Sequence, residues 1–91
     1  MSPEWSPSVA DSRARLAGID ELGDQRWKVI ACAREEFARS GRTPGLRRIE
    51  RLTGIPVAEL HELFPGGTAA LIARLAGVRA PGVRRRAKPA C

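Results

Sequence analysis

The sequence has little of what a metal site, a membrane span or a nucleotide pocket needs. One histidine and two distant cysteines, Cys32 and Cys91, cannot supply four ligands at zinc-site spacing. No stretch approaches the ~20 apolar residues of a membrane helix, and neither a P-loop nor a G-x-G-x-x-G motif occurs. No signal peptide precedes Cys32, so free thiols in a reducing cytoplasm are expected rather than a disulfide. We therefore expect a cytoplasmic protein without metal or cofactor.

Strand signals are also lacking, because no alternating apolar pattern or hairpin turn occurs. Glycine and proline instead divide the chain into five predicted helices. Their boundaries are predicted at Ser6–Pro7 to Gly18, Asp24 to Gly41, Thr43–Pro44 to Gly54, Pro56 to Pro65, and Thr68 to Gly77. The apolar residues expected in the core include Trp27, Ile30, Ala31, Phe37 and Ala38 in the second helix and Leu46, Ile49 and Leu52 in the third.

These patterns predict one all-α domain, because 91 residues suffice for a single small core. The predicted fold is a small orthogonal bundle of about five helices that contains a helix-turn-helix. Residues 1–77 form this body, and residues 78–91 form a flexible basic C-terminal arm that ends in Cys91.

Acidic residues are missing from the arm. All ten precede Gly77, whereas the net charge of the chain is +6. This asymmetry predicts that the arm meets an acidic partner, either nucleic acid or an anionic protein surface, the alternative being a solvated end. The basic residues of the arm are Arg79, Arg84, Arg85, Arg86 and Lys88.

The third and fourth predicted helices lie in the stretch F-A-R-S-G-R-T-P-G-L-R-R-I-E-R-L-T-G-I-P-V-A-E-L-H-E-L-F-P-G-G, which has an aromatic-proline step near its end. This stretch resembles the DNA-binding helices of TetR-type repressors. A helix that reads base edges needs hydrogen-bond donors, but the fourth helix carries Glu59 and Glu62. The arginines of the preceding helix could at most contact backbone phosphate, and they are Arg47, Arg48 and Arg51. A helix-turn-helix transcriptional regulator therefore stays as the alternative function.

A second resemblance covers about Trp5 to Pro81. The segments W-S-P-S-V-A-D-S-R-A-R-L-A-G-I, D-E-L-G-D-Q-R-W-K-V-I, R-E-E-F, S-G-R-T-P-G-L-R-R-I, E-L-H-E-L-F-P-G-G and R-L-A-G-V-R-A-P follow one another in that order. In order and spacing they are similar to the DsrC/TusE sulfur-relay family. The most telling pieces are the L-F-P-G-G corner and the A-G-V step into a proline-bearing arm.

This resemblance implies a sulfur carrier, in which a cysteine near the end of the arm takes up persulfide sulfur and passes it on. The position expected to hold that cysteine is Arg84, and the second cysteine of some members corresponds to Ala73. Cys91 comes later, after R-R-R-A-K-P-A, and is therefore the candidate carrier residue or an unrelated end.

The resemblance also implies partners. It predicts a sulfurtransferase subunit rather than a stand-alone catalyst, working with a sulfur donor and acceptor such as a TusBCD-like or sulfite-reductase-like complex. The arginines of the arm make tRNA a further candidate, because they attract phosphate irrespective of sequence. A related binding protein without cysteine chemistry is the second alternative.

Overall fold

The computed structural model describes residues 5–79, and within them the chain folds into five α-helices and no strand. The helices are α1 (Pro7–Leu16), α2 (Gly23–Ser40), α3 (Leu46–Thr53), α4 (Val57–Leu63) and α5 (Thr68–Ala76). The predicted small all-α bundle is confirmed. No helix within residues 5–79 combines the length and the apolar character that a bilayer crossing requires. The division into a body and an arm at residue 77 stays a prediction.

Turn chemistry accounts for the helix boundaries. Ser6 is the N-cap of α1, its hydroxyl accepting from the Val9 amide, and Pro7 is the first helical residue. At the other ends, α2, α3 and α5 are each followed by a glycine with a positive φ angle. A left-handed residue at this position lets the last amides turn back to the helix carbonyls, so these helices stop where the glycines stand.

Two of the predicted boundary residues, Asp24 and Thr68, lie in the first turn of their helices and do not cap them. Asp24 lies inside the first turn of α2, which begins at Gly23. Thr68 is the first residue of α5, and its hydroxyl donates to the Phe64 carbonyl 2.7 Å away instead of capping the helix.

One core is shared by all five helices. Its largest fully buried side chains are Val29, Ile30, Ile49, Leu60, Phe64, Ile72 and Leu75. Helix α5 packs against both α1 and α2, and α3 packs against α2 and α4. Helix α5 therefore lies centrally, and its C-terminal end is within reach of side chains from α1 and α2.

The buried face of α2 differs from the predicted one. Ala31 and Ala38 are exposed, whereas Val29, Ala33 and Glu36 are buried alongside Ile30. In α3, Ile49 is buried as predicted, but Leu52 is 45% exposed. Alanine is small enough to lie on either face, so counting Ala31 and Ala38 as core residues rotated the predicted stripe away from the true one.

Candidate functional site

The predicted site residues fall at the edge of the described chain. Cys91, Arg84, Arg85, Arg86 and Lys88 lie outside residues 5–79, and Arg79 is exposed at the last described position. What the structure describes is the segment from which the predicted arm departs. We call residues 73–79, the last turn of α5 and the three residues after it, the arm base.

The backbone of the arm base forms a Schellman turn. Gly77 has a φ of 70°, and its amide donates to the Arg74 carbonyl at 3.2 Å. The Val78 amide donates to the Ala73 carbonyl at 3.0 Å, and the Val78 side chain packs against the core. This pair of bonds satisfies two carbonyls at the end of α5 and fixes the direction in which the chain leaves the helix.

Three side chains from other parts of the body bind the last carbonyls of α5. Arg13 Nη1 donates to the Arg74 carbonyl at 2.7 Å. Trp5 Nε1 donates to the Leu75 carbonyl at 2.8 Å, and Arg34 Nη1 to the Ala76 carbonyl at 2.8 Å. The two guanidinium groups also place positive charge at the negative end of the helix dipole. The end of α5 is thus held by the segment before α1, by α1 and by α2.

The Trp5 ring lies between a cation and a glycine. Arg34 Cζ is 3.8 Å from the centroid of the ring, a cation–π contact. On Gly77, a β-carbon would lie 2.5 Å from Trp5 Cδ1, so the ring occupies the space that any other residue would need. Trp5 therefore joins the start of the described chain to the arm base.

One further bond carries the chain past the turn. The Thr43 hydroxyl, in the loop between α2 and α3, donates to the Arg79 carbonyl. Arg79 is the one predicted partner-contact residue within the described chain, and this bond places it beside that loop.

Cys32 lies on α2, half-buried and unpaired, and packs against the core. Burial raises the pKa of its thiol above the ordinary value, the negative charges of Glu36 and Glu35 raise it further, and Arg48 and Arg39 oppose them. The thiolate is the nucleophilic form, so this environment makes Cys32 poorly reactive. Ala73 is the position that the resemblance matches to the second cysteine of some family members, and its side chain is buried, 1% exposed.

Glu36 is a buried carboxylate, 6% exposed, that two arginines satisfy. Arg48 donates through Nε and Nη2 to Glu36 Oε2 at 3.2 and 2.8 Å, and Arg39 donates to Glu36 Oε1. These hydrogen bonds hold the pKa of Glu36 below its ordinary value, and the bonds from Arg48 have the larger effect. The cluster joins α2 to α3.

His61 is bound to α5. Its Nδ1 lies 2.9 Å from Thr68 Oγ1. Because the Thr68 hydroxyl donates its hydrogen to the Phe64 carbonyl, the imidazole Nδ1 carries a hydrogen and donates. His61 therefore joins α4 to the first residue of α5, on either side of the L-F-P-G-G corner. Within residues 5–79, no three His, Cys, Asp or Glu side chains come together as a metal site requires.

Sequence reasoning did not find the side chains that bind the end of α5. The partner of Trp5 lies 70 residues away in the sequence, and no local pattern indicated it. Arg13 and Arg34 carried no signal, because an arginine on a helix is usually solvated.

Comparison with known proteins gives a family. The DsrC-like protein family matches residues 1–83. The dissimilatory-type sulfite reductase gamma subunit of Nitratidesulfovibrio vulgaris (strain Hildenborough) is 29% identical over 79 residues, which is 87% of this chain and 71% of the relative. Sulfurtransferase TusE of Salmonella choleraesuis is 29% identical over 85 residues, 86% of this chain and 77% of the relative. Because the family match spans most of the sequence, the chain belongs to the DsrC-like protein family.

Proposed function

We propose that this protein is a sulfur carrier of a sulfur relay and that Cys91 carries the sulfur. The main support is membership of the DsrC-like family over residues 1–83. The two relatives named above are a sulfite reductase subunit and a sulfurtransferase, so both belong to sulfur chemistry. The protein acts through contacts with donor and acceptor proteins.

The proposed step is a sulfur transfer without net oxidation. The Cys91 thiolate attacks the outer sulfur of a donor persulfide, and a new S–S bond forms on Cys91. The S–S bond of the donor breaks, and the donor leaves as its thiolate. Cys91 then holds the persulfide until an acceptor takes the outer sulfur in the same way.

The surroundings of Cys32 support the choice of Cys91. Burial and the charges of Glu36 and Glu35 raise the pKa of the Cys32 thiol and so disfavour its thiolate. A carrier residue needs the thiolate form and must enter the active site of another protein. Cys91 is the other cysteine of the chain. In the family pattern the carrier cysteine is expected at the position of Arg84. In this proposal Cys91, seven residues later, takes the role of that cysteine.

The length of chain after the arm base determines how far Cys91 could reach from the body. The bond from Thr43 holds the Arg79 carbonyl to the body. Cys91 is 12 residues further along the sequence, which corresponds to at most ~40 Å of extended chain. A carrier of this kind needs a rigid body and a segment long enough to enter a partner. The hydrogen-bonded arm base supplies the rigid point of attachment.

The test is persulfide loading followed by intact-mass measurement. The full chain is incubated with a small-molecule persulfide and desalted. We expect a gain of one sulfur, about 32 Da, in the natural chain and in Cys32→Ser. Cys91→Ser should gain nothing, and dithiothreitol should remove the added mass. Cys32→Ser is the matched control because it also removes one thiol.

A gain that persists in Cys91→Ser but is lost in Cys32→Ser would overturn the assignment of Cys91. No gain in any variant would leave a DsrC-like binding protein without cysteine chemistry. In that case the helix-turn-helix alternative is tested by binding to a specific DNA duplex.

The basic residues of the arm extend the proposal to a partner. We propose that Arg84, Arg85, Arg86 and Lys88 hold the carrier near tRNA through phosphate contacts. Affinity for tRNA should then fall as salt rises and should weaken when these four residues are changed to glutamine. An affinity that is independent of salt, or unchanged in that variant, would exclude this role.

A further inference from the structure

A band of arginines lies on the helical body, on α3 and in the loop that precedes it. We call it the basic band and define it as Arg42, Arg47, Arg48 and Arg51. On α3, Arg47 and Arg51 differ by about 40° around the helix axis, and Arg48 lies about 60° beyond Arg51. All three are exposed. Arg47 and Arg51 lie about 160° around the axis from the buried Ile49, whereas Arg48 lies about 100° from it and reaches Glu36 of α2.

Positive charge dominates this surface. Residues 39–51 contain five arginines, no lysine and one acidic residue, Glu50. Glu36 faces the band from α2, but it accepts from both Arg48 and Arg39, so one carboxylate meets two guanidinium groups. Within residues 5–79, Arg42, Arg47 and Arg51 have no carboxylate partner.

The arrangement costs stability in the isolated protein. Arg47 and Arg48 lie in the first turn of α3, which has no acidic residue and no side-chain cap. Positive charge is unfavourable at that end of a helix dipole, and like charges three or four residues apart repel each other. Departures from local rules of this kind are expected where a partner offsets them. The partner that would do so is negatively charged.

We propose that the basic band binds the phosphate backbone of a folded RNA. The planar guanidinium group matches phosphate with two parallel hydrogen bonds. Arg48 is held by Glu36, so within residues 5–79 the guanidinium groups without a carboxylate partner are those of Arg42, Arg47 and Arg51. The centre of a protein interface is usually poor in charge and rich in aromatic residues, whereas residues 39–51 contain five arginines and no aromatic residue. This inference concerns the body alone and does not depend on sulfur transfer at Cys91.

Helix α4 favours RNA over duplex DNA. Insertion of α4 into the major groove would bring Glu59 and Glu62 close to the phosphates. Folded RNA is bound largely through its backbone and its shape, because side chains cannot read its deep, narrow major groove. Contacts by α3 to phosphate alone suit that mode.

The test measures RNA affinity against salt with the full chain. The probe is a folded tRNA transcript, and the variant is Arg47→Gln with Arg51→Gln. The matched control is Arg15→Gln with Lys28→Gln, which removes the same charge from α1 and α2. We expect the band variant to bind more weakly and its slope of log affinity against log salt to fall by about 2, one for each lost contact. The control should keep the natural slope.

Three further measurements keep the test decisive. Circular dichroism must show that the band variant is folded. Its loading with persulfide sulfur must match that of the natural chain, so that a failure of sulfur transfer is not mistaken for a failure of RNA binding. Changing the four arm residues to glutamine separates the arm from the body. Equal slopes in the band variant and the control would overturn the proposal, as would tighter binding of polyglutamate or duplex DNA than of RNA.

Discussion

The Trp5 ring and Gly77 are in direct contact, and the ring fills the space where a side chain at residue 77 would begin. The same ring donates from Nε1 to the Leu75 carbonyl and stacks beneath Arg34. One aromatic residue from the start of the described chain thus fixes the place where the chain leaves α5.

Gly77→Ala should destabilise the protein more than other glycine changes at helix ends. An alanine held at positive φ costs about 1–2 kcal/mol, and displacing the Trp5 ring should cost a further ~1–3 kcal/mol. The free energy of unfolding in urea measures the total. Gly54→Ala is the matched control, because Gly54 also follows a helix at positive φ, yet among residues 5–79 no atom lies within 4 Å of its β-carbon position. Equal losses at the two positions would mean that the Trp5 contact adds nothing.

Trp5→Phe should cost about 0.5–1.5 kcal/mol through the lost hydrogen bond to the Leu75 carbonyl. A weaker stacking contact with Arg34 adds to the loss. Trp27→Phe serves for comparison, since Trp27 is half-buried and its indole nitrogen donates to no other residue of the described chain. Urea unfolding of both variants checks the prediction, and a larger loss for Trp27→Phe would contradict it.

Glu36 should make the protein sensitive to acid. Hydrogen bonds from Arg48 and Arg39 hold its pKa below the ordinary value of 4.5, so the unfolded chain takes up the proton first as the pH falls. The stabilisation by Glu36 is therefore complete above that ordinary value and is lost as the pH falls through the lower pKa of the folded protein. Glu36→Gln should be less stable than the natural chain at pH 7, with the gap narrowing at pH 3.

The control for this change is Glu50→Gln, which removes an exposed carboxylate on α3. Urea midpoints at the two pH values give the comparison. If the natural chain and Glu36→Gln lose stability in parallel, the carboxylate does not carry the acid response.

Cys32 should react slowly with alkylating reagents. In Cys91→Ser, the rate at pH 8 should be several-fold lower in the folded protein than in urea, because burial, Glu36 and Glu35 raise the pKa of the thiol. Mass spectrometry after timed quenching measures both rates. Fast labelling of the folded chain would show that Cys32 is as available as a free thiol.

Arg47→Glu should stabilise the protein by about 0.3–1 kcal/mol, because it places negative charge in the first turn of α3. The same change should weaken RNA binding. Thermal unfolding at low salt measures the gain, and the gain should shrink as salt screens the charges. Arg51→Glu lies in the last turn, where it should not stabilise the helix, so a similar gain there would contradict the dipole explanation.

The sequence allowed the helices to be predicted, because their signals are local. Ser6 with Pro7 marks the start of α1, and Gly41, Gly54 and Gly77 end α2, α3 and α5. Each of these residues acts on its own stretch of backbone, so the sequence around it contains the needed information.

The buried faces and the arm base could not be predicted to the same degree, because they depend on residues far apart. Glu36 is buried where Arg48 of α3 reaches it, and the sequence around a glutamate on α2 gives no sign of that partner. Trp5 meets α5 across 70 residues of sequence. The sequence of one helix does not show which other helix supplies a partner for its side chains. The predicted buried face of α2 was therefore rotated relative to the observed one.

The contact between Trp5 and α5 has a practical consequence for experiments. The segment before α1 and the C-terminal end of α5 are neighbours in the folded protein, because Trp5 contacts Leu75 and Gly77. A bulky group fused ahead of Trp5 would be attached within a few residues of the arm base, where the proposed function requires a partner to bind. Purification handles are therefore better removed before partner binding is measured.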